Sequence, residues 1–167
     1  YAGFEFAAGM NRGALQRRSG EFYSNLAVTW RPTAEQSTVL RRVDTGAAAN
    51  GSVAGNRLPY APDLTATFRV GYVRGAWDVS MEVQQIGRQW ADFANTRHPA
   101  VNGDGQFGQL DSYATWNATL NYEPTGSAWS GYVAVKNLTD REYIVDRTRG
   151  LLFGNPRQIV AGLRYGW

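Results

Sequence analysis

The residues of this sequence with the greatest capacity for binding chemistry are its arginines. Lys136 is the only lysine among 17 basic residues, so the positive charge is almost entirely carried by guanidinium groups. A guanidinium is a planar fork that binds carboxylates or phosphates through two parallel hydrogen bonds. Arginines in predicted connecting segments could bind an anionic ligand, the phosphates of a lipid surface or neighbouring acidic side chains: Arg41, Arg42, Arg57, Arg88, Arg97, Arg147 and Arg149.

Residues that could support catalysis or hold a metal ion are few. His98 is the only histidine and the chain has no cysteine, so the sequence predicts neither a dedicated metal site nor a cofactor. The segment Asn102-Gly-Asp-Gly105 is similar to a calcium loop, but it lacks the remaining carboxylates and is predicted to be a turn. His98 with Asp92 or Asp104 is the one acid/base pairing that an enzyme could use. No G-x-S-x-G or phosphate-binding loop accompanies it, so we predict that the chain is not an enzyme.

The elements that position these side chains are predicted to be strands. In the last strand, Trp167, Tyr165, Leu163 and alternate residues before them share one face, which is the two-residue period of a β-strand. The same alternation predicts seven strands at about 1–13, 21–37, 63–73, 77–91, 112–123, 129–144 and 157–167. No apolar run approaches the length of a transmembrane helix.

Two further regularities accompany the alternation of apolar residues. The connections between predicted strands are short and long in turn, and aromatic residues cluster beside the short ones: Phe22, Tyr72, Trp77, Tyr122, Trp129, Tyr165 and Trp167. Short turns on one side, long loops on the other and an aromatic girdle are typical of a transmembrane antiparallel β-barrel. The sequence therefore predicts an all-β barrel wall. The alternative is a soluble β-sandwich, whose apolar strand faces would pack on a second sheet.

The predicted strand number indicates an incomplete barrel. Bacterial single-chain barrels carry even numbers of strands, and an open sheet edge in lipid would leave backbone groups unpaired. The start of the chain has neither an initiator Met nor the regions of a signal peptide. We therefore expect a mature fragment or the tail of a longer protein. A nucleic-acid partner is not expected, because no predicted element combines clustered basic residues with interleaved aromatics.

Several motifs resemble one protein family. The segment Val133-Ala-Val-Lys-Asn-Leu-Thr-Asp-Arg-Glu-Tyr143 resembles the penultimate-strand signature of TonB-dependent outer-membrane receptors, and Gly154-Asn-Pro-Arg157 resembles the entry to their final strand. The segment Gly55-Asn-Arg-Leu-Pro-Tyr-Ala-Pro62 and the terminal Trp167 are similar to further features of the family. The stretch Trp90-Ala-Asp-Phe-Ala-Asn-Thr96 is similar to a loop of its ferric citrate receptors.

The resemblance implies both an architecture and a function. Residues 1–167 would be the C-terminal, seven-stranded portion of a barrel of about 22 strands, with the plug domain and the TonB box absent. The complete protein would import a ferric chelate, such as ferric citrate or another anionic siderophore, across the outer membrane of a Gram-negative bacterium with energy from TonB. A passive porin is the alternative, and a barrel enzyme is a more distant one.

The resemblance also implies roles for particular residues. Arg88 and Arg97 flank the citrate-receptor-like loop and are the predicted ligand-binding residues. Trp167, with Tyr165 and Leu163, would anchor the chain at the membrane interface and form the signal read by the barrel-assembly machinery. Lipopolysaccharide is a further expected partner, because its phosphates suit loop arginines. Asn137 and Asp140 are predicted to bond local backbone and to fix the exit of their strand.

Overall fold

The computed structural model describes residues 2–12, 20–43, 48–101 and 103–166. Within these ranges the chain forms eleven strands: β1 (Ala2–Arg12), β2 (Glu21–Thr33), β3 (Leu64–Arg74), β4 (Trp77–Ile86), β5 (Gln89–Trp90), β6 (Gln109–Leu110), β7 (Tyr113–Tyr122), β8 (Trp129–Lys136), β9 (Ile144–Asp146), β10 (Leu152–Phe153) and β11 (Gln158–Tyr165). No helix in the described ranges is long and apolar enough to cross a membrane.

The seven long strands form one antiparallel sheet. Its order is β1-β2-β3-β4-β7-β8-β11, so each long strand pairs with the next long strand along the chain. The two remaining pairs, β5 with β6 and β9 with β10, are short hairpin-like pairings inside the long connections. The predicted all-β architecture of seven long antiparallel strands is confirmed, and it is an incomplete barrel wall.

The strand register aligns the apolar residues of all seven strands on one face, here called the apolar face. Phe6 lies opposite Val28, Met81 opposite Ala118, and Val135 opposite Ile159. No second layer covers this face within the described residues: Phe4 is 68% exposed and Ile159 is 71% exposed. A β-sandwich would bury these side chains, so the structure supports the barrel wall and not the sandwich.

Three observed strands are shorter than the sequence pattern indicates. β2 ends at Thr33 instead of about 37, β4 ends at Ile86 instead of about 91, and β8 ends at Lys136 instead of about 144. Asn137 ends β8 because its backbone adopts φ 49°, which no extended strand allows. The alternation signal continued past this point because loop residues there also include apolar side chains.

The end of the sheet with the short connections, here called the short-turn end, carries tilted aromatic pairs on the apolar face. Ring centroids lie 4.4 Å apart for Phe22 and Tyr72, 4.4 Å for Trp77 and Tyr122, and 4.8 Å for Trp129 and Tyr165. Cross-strand aromatic pairs of this kind stabilise a sheet. The predicted aromatic cluster is therefore confirmed for these six residues, and we call them the girdle. Trp167 lies outside the described residues.

The opposite face of the sheet, here called the polar face, carries hydrogen-bonded side chains. Asp78 accepts hydrogen bonds from the Tyr23 hydroxyl at 2.8 Å and from Asn121 Nδ2 at 3.3 Å. Glu82 likewise accepts from Asn117 Nδ2 at 3.1 Å and from Gln84 Nε2 at 2.8 Å. The carboxylates of Asp78 and Glu82 are thus satisfied by side chains of β2, β4 and β7.

Tyrosine rings on the polar face lie flat over glycines of the next strand. The ring of Tyr132 covers Gly162, and the ring of Tyr23 covers Gly71, so that a Cβ atom at either glycine would collide with the ring. The register confirms that Tyr132 belongs to this face, where it pairs with Gly162. Glycine at these positions allows the ring to approach the backbone closely.

Candidate ligand-binding site

The three long connections, residues 34–63, 87–112 and 137–157, meet at the other end of the sheet, which we call the long-loop end. Most of the buried side chains of the described residues lie here and not against the sheet. The buried apolar residues are Ala34, Ala61, Ala91 and Leu110. The sequence predicted flexible loops, but these segments pack on one another and carry β5, β6, β9 and β10.

Arg57 holds the first long connection against the end of β2. Its terminal nitrogens donate hydrogen bonds to the carbonyl oxygens of Pro32 and Arg31, each at 2.8 Å. Its backbone nitrogen donates to Asn95 Oδ1 at 2.7 Å, and Asn95 Nδ2 donates back to the Arg57 carbonyl oxygen at 2.8 Å. Arg57 therefore has a structural role, and its charge is directed at backbone dipoles.

Asp92 is the buried centre of the second long connection. Its side chain is fully buried, at 0% exposure. Oδ1 accepts from the backbone nitrogen and the hydroxyl of Thr96, both at 3.1 Å, and Oδ2 accepts from the Gly108 nitrogen at 3.2 Å. A buried carboxylate needs such partners to offset the loss of water. Asp92 is thus buried and bonded within its own loop, whereas His98 is exposed and forms no hydrogen bond with it among the described residues.

Tyr60 links the first long connection to the third. Its hydroxyl donates a short hydrogen bond to Asp146 Oδ1, lies 2.9 Å from the Thr148 hydroxyl and accepts from the Arg147 backbone nitrogen at 3.2 Å. Its backbone nitrogen donates to the Trp90 carbonyl oxygen at 2.8 Å. Tyr60 has φ 53°, so the chain turns sharply here. Tyr60 therefore links its own connection to the third through its side chain and to the second through its backbone.

The pKa values of Asp146 and Tyr60 are shifted in directions that favour their hydrogen bond. Hydrogen bonds from Thr148, and then from Tyr60, hold the pKa of the Asp146 carboxyl below its usual value. Burial, and then the bond to Asp146, raise the pKa of the Tyr60 hydroxyl. The ionised Asp146 and the neutral Tyr60 are thus the favoured forms at neutral pH.

The third long connection is fixed where it leaves β8. Asn137 is buried, with Nδ2 donating to the carbonyl oxygens of Arg141 at 2.9 Å and Asn155 at 3.0 Å. Asp140 Oδ1 accepts from the Arg157 backbone nitrogen at 2.8 Å. The predicted backbone-bonding roles of Asn137 and Asp140 are confirmed.

The predicted ligand-binding residues Arg88 and Arg97 are both exposed at the long-loop end. Arg88 lies between β4 and β5, and Arg97 lies between β5 and β6. Neither guanidinium takes part in a hydrogen bond or ion pair with the described residues; only their backbone oxygens are bonded, by Asp63 and Gln109. The structure records no contact between the two side chains, so it leaves both free without joining them into one site.

A cleft that the sequence did not indicate lies between the second and third connections. It measures ≈ 260 Å³ and is lined by Asp111, Ser112, Tyr113, Arg141, Glu142, Tyr143, Ile144, Arg147 and Phe153. We call it the Arg141–Arg147 cleft. Its lining comes from three separate segments, and Arg141 fell inside a predicted strand. Arg141 lies in a loop only because β8 ends at Lys136. No signal in the sequence therefore indicates that Arg141 and Arg147 line the same cleft.

The remaining candidate residues show no convergent chemistry. His98 is exposed, and Asp104 accepts a hydrogen bond from the Gln106 nitrogen two residues later, at 3.0 Å. Within the described ranges, no group of three or more His, Cys, Asp or Glu side chains could hold a metal ion. At the other end, Tyr165 contacts Trp129 in the girdle, and Leu163 is exposed on the apolar face.

A family comparison and solved structures agree on the fold. Residues 1–138 match the family profile described as TonB dependent receptor-like, beta-barrel. The unliganded ferric citrate transporter FecA is 24% identical with a TM-score of 0.70, over 97% of this chain and 23% of that chain. The siderophore receptor PiuA from Acinetobacter baumannii is 16% identical with a TM-score of 0.65, over 98% and 21% of the two chains.

A third solved structure shows the same relationship. The ferric yersiniabactin uptake receptor FyuA from Yersinia pestis is 20% identical with a TM-score of 0.58, over 98% of this chain and 24% of that chain. No curated protein gives a significant sequence match. The chain thus spans only about a quarter of the length of these solved structures, and the likeness to them is one of fold.

Proposed function

The chain belongs to the TonB-dependent receptor β-barrel family, and we propose that it is part of the barrel wall of a receptor that imports a ferric chelate with energy from TonB. The observation that carries this proposal is the family match over residues 1–138. A continuous apolar face with a girdle at one end supports it, because such a face suits contact with lipid. The complete receptor binds and moves its ligand without bond chemistry.

The family also supports an orientation and a location. We place the barrel in the outer membrane of a Gram-negative bacterium, with the long-loop end outside and the short-turn end in the periplasm. Trp167, Tyr165 and Leu163 then lie at the periplasmic interface and serve as the signal for the barrel-assembly machinery. The plug domain and the TonB box belong to the complete protein outside these 167 residues, and lipopolysaccharide surrounds the outer rim.

The proposed ligand is an anionic chelate such as ferric citrate or another acidic siderophore. Arg88 and Arg97 support this choice because both guanidinium groups are exposed at the outer end and lack partners within the described residues. A free guanidinium can accept a carboxylate through two hydrogen bonds. FecA, which is 24% identical to this chain, is a ferric citrate transporter.

Growth on single iron sources tests the proposal. The complete receptor would be the only iron-chelate receptor of an iron-starved strain, which is supplied in turn with ferric citrate, a ferric hydroxamate or a ferric catecholate. We expect growth on at least one chelate, and we expect that growth to require TonB. Uptake that persists without TonB would show a passive porin instead, and growth on no chelate would contradict iron uptake.

The predicted ligand-binding residues need a separate arm of the experiment. We expect Arg88→Ala combined with Arg97→Ala to lower uptake of the anionic chelate about tenfold or more, as the loss of charge-assisted hydrogen bonds predicts. Arg41→Ala is a matched control, because Arg41 is also an exposed loop arginine. Unchanged uptake in the double variant would remove Arg88 and Arg97 from the binding site.

A further inference from the structure

We propose that the Arg141–Arg147 cleft is a subsite at the outer mouth of the barrel for a chelate that presents acidic oxygens together with N–H or O–H donors. This inference rests on the proposed uptake of a ferric chelate. The cleft opens beside Tyr113, whose position opposite Ile86 puts it on the polar face at the outer end of β7. A ligand descending along the inside of the wall would therefore meet it.

Arg147 is the fixed cation of the cleft. Its Nη1 donates to the Gly105 carbonyl oxygen at 2.9 Å, and its backbone nitrogen donates to the Tyr60 hydroxyl at 3.2 Å. Its Nε is buried and has no hydrogen-bond partner among the described residues. The Nη1 bond holds the guanidinium in place, while Nε is a costly buried donor whose hydrogen-bonding capacity is unused.

Arg141 is the second cation, and its backbone is as firmly held as that of Arg147. Asn137 bonds both the backbone nitrogen and the carbonyl oxygen of Arg141, each at 2.9 Å. The guanidinium itself makes no hydrogen bond to the described residues. Among those residues, the ion pair within 4.0 Å is that of Arg157 with Asp140, at 3.8 Å. Both arginine charges of the cleft are thus free of acidic partners.

The carboxylates of the same cleft define the ligand more narrowly. Asp111 and Glu142 line the cleft together with Arg141 and Arg147, yet none of them forms an ion pair with another. A bare polyanion would be attracted by the arginines and repelled by the carboxylates. A chelate with acidic oxygens on one side and amide or hydroxyl donors on the other would satisfy both sets.

The aromatic lining gives the cleft a rigid wall. Tyr113 and Tyr143 stack with ring centroids 4.2 Å apart, and the ring of Tyr143 covers Gly154. The exposed ring of Phe153 adds an apolar rim. The volume of ≈ 260 Å³ is just below the roughly 300–1,000 Å³ of pockets that enclose a whole drug-sized ligand. The cleft therefore suits one arm of a chelate.

Chelate binding to the purified complete receptor tests this subsite. The probe is the ferric chelate that supports growth, and its Kd is measured by quenching of tryptophan fluorescence. We expect Arg141→Gln and Arg147→Gln each to raise the Kd about tenfold, and the double variant to raise it further. Arg149→Gln is the matched control, because Arg149 is an exposed arginine of the same connection whose side chain makes no bond to the described residues.

Two variants separate binding from folding. Arg141→Gln removes no side-chain hydrogen bond between the described residues, so we expect this variant to fold even if Arg147→Gln does not. Arg147→Lys keeps the charge but not the planar fork, and we expect an intermediate Kd.

Asp111→Asn with Glu142→Gln should weaken binding of a donor-bearing chelate but strengthen binding of ferric citrate.

The results distinguish failure of the subsite from failure of the proposed function. An unchanged Kd in Arg141→Gln and in Arg147→Gln, with the wild type binding normally, overturns the subsite and leaves iron uptake intact. A wild-type receptor that binds and transports no ferric chelate overturns both.

Discussion

Asn137 and Arg141 are joined by two hydrogen bonds, in which Asn137 Oδ1 accepts from the Arg141 nitrogen and Asn137 Nδ2 donates to the Arg141 carbonyl oxygen, each at 2.9 Å. Asn137 is only 4% exposed. We expect Asn137→Ala to lower the free energy of unfolding of the complete receptor by about 1–3 kcal/mol, because buried backbone groups lose their partners. Urea unfolding in lipid vesicles measures this change.

Asn155→Ala is the matched control for this prediction. Asn155 also lies in the third long connection, but only its backbone oxygen bonds to Asn137, and its exposed side chain makes no hydrogen bond to the described residues. We expect its effect to stay within about 0.5 kcal/mol. Equal effects of the two substitutions would show that the Asn137 amide does not hold the loop.

Arg57 provides a second prediction, concerning the first long connection. Arg57→Ala removes the bonds to Pro32 and Arg31, so amide hydrogens of 34–63 should exchange faster while those of the long strands remain protected. Hydrogen exchange followed by mass spectrometry resolves the two regions. Arg41→Ala should leave exchange unchanged, because Arg41 is exposed and its side chain makes no hydrogen bond to the described residues. Exchange in Arg57→Ala that matches the wild type would contradict this structural role.

The apolar face provides a third prediction, which depends on depth. Met81 lies midway along β4, whereas Leu120 is two residues from Tyr122 of the girdle. We expect Met81→Arg to cost about 2–4 kcal/mol and Leu120→Arg clearly less, because the cost of a cation falls towards the interface. Thr119→Arg points to the polar face and should be mild. Equal costs for Met81→Arg and Thr119→Arg in urea unfolding would contradict the assignment of the two faces.

The contact between Tyr60 and Asp146 provides a prediction for pH. Because the pKa of Asp146 is lowered in the folded state, its contribution to stability is present above about pH 4 and is lost as pH falls through the lowered pKa. The pKa of Tyr60 is raised, so its contribution is present below about pH 10 and is lost as pH rises through the raised value.

Replacement of the tyrosine tests the same contact. Tyr60→Phe removes a hydrogen bond to the ionised carboxylate, so the pKa of Asp146 should rise towards its usual value. Carboxyl carbon NMR of the aspartate-labelled receptor measures this pKa directly. Tyr143→Phe is the control, because its hydroxyl makes no hydrogen bond to the described residues and the ring stack is retained. An Asp146 pKa that is the same in Tyr60→Phe and in the wild type would exclude the coupling.

The sheet could be predicted from the sequence because apolar residues occupy every second position of each long strand. Phe6, Val28 and Met81 alternate with small or polar neighbours, and strand pairing then follows chain order. The backbone-bonding role of Asn137 was also predictable, because asparagine readily bonds local backbone and tolerates positive φ. The end of β8 at this residue was not predicted, because the alternation of apolar residues continues past Asn137 in the sequence.

The arrangement of the long connections could not be predicted in the same way. Tyr60 bonds to Asp146 across 86 positions of sequence, and Arg147 bonds to Gly105 across 42. Such contacts have no periodicity and depend on how three loops pack on one another. Because loop packing cannot be read from sequence, Arg88 and Arg97 were predicted only from their proximity to a motif. The Arg141–Arg147 cleft could be identified only once the packing of the loops was known.

The ring of Tyr132 lying over Gly162 has a consequence for the bore of the complete barrel. Because the Tyr132 ring lies along the wall, it takes up little of the barrel's cross-section at the level of Gly162. A methyl group at position 162 would lift the ring inwards and narrow the passage. A glycine that would weaken an ordinary strand thus keeps the Tyr132 ring against the wall and out of the interior.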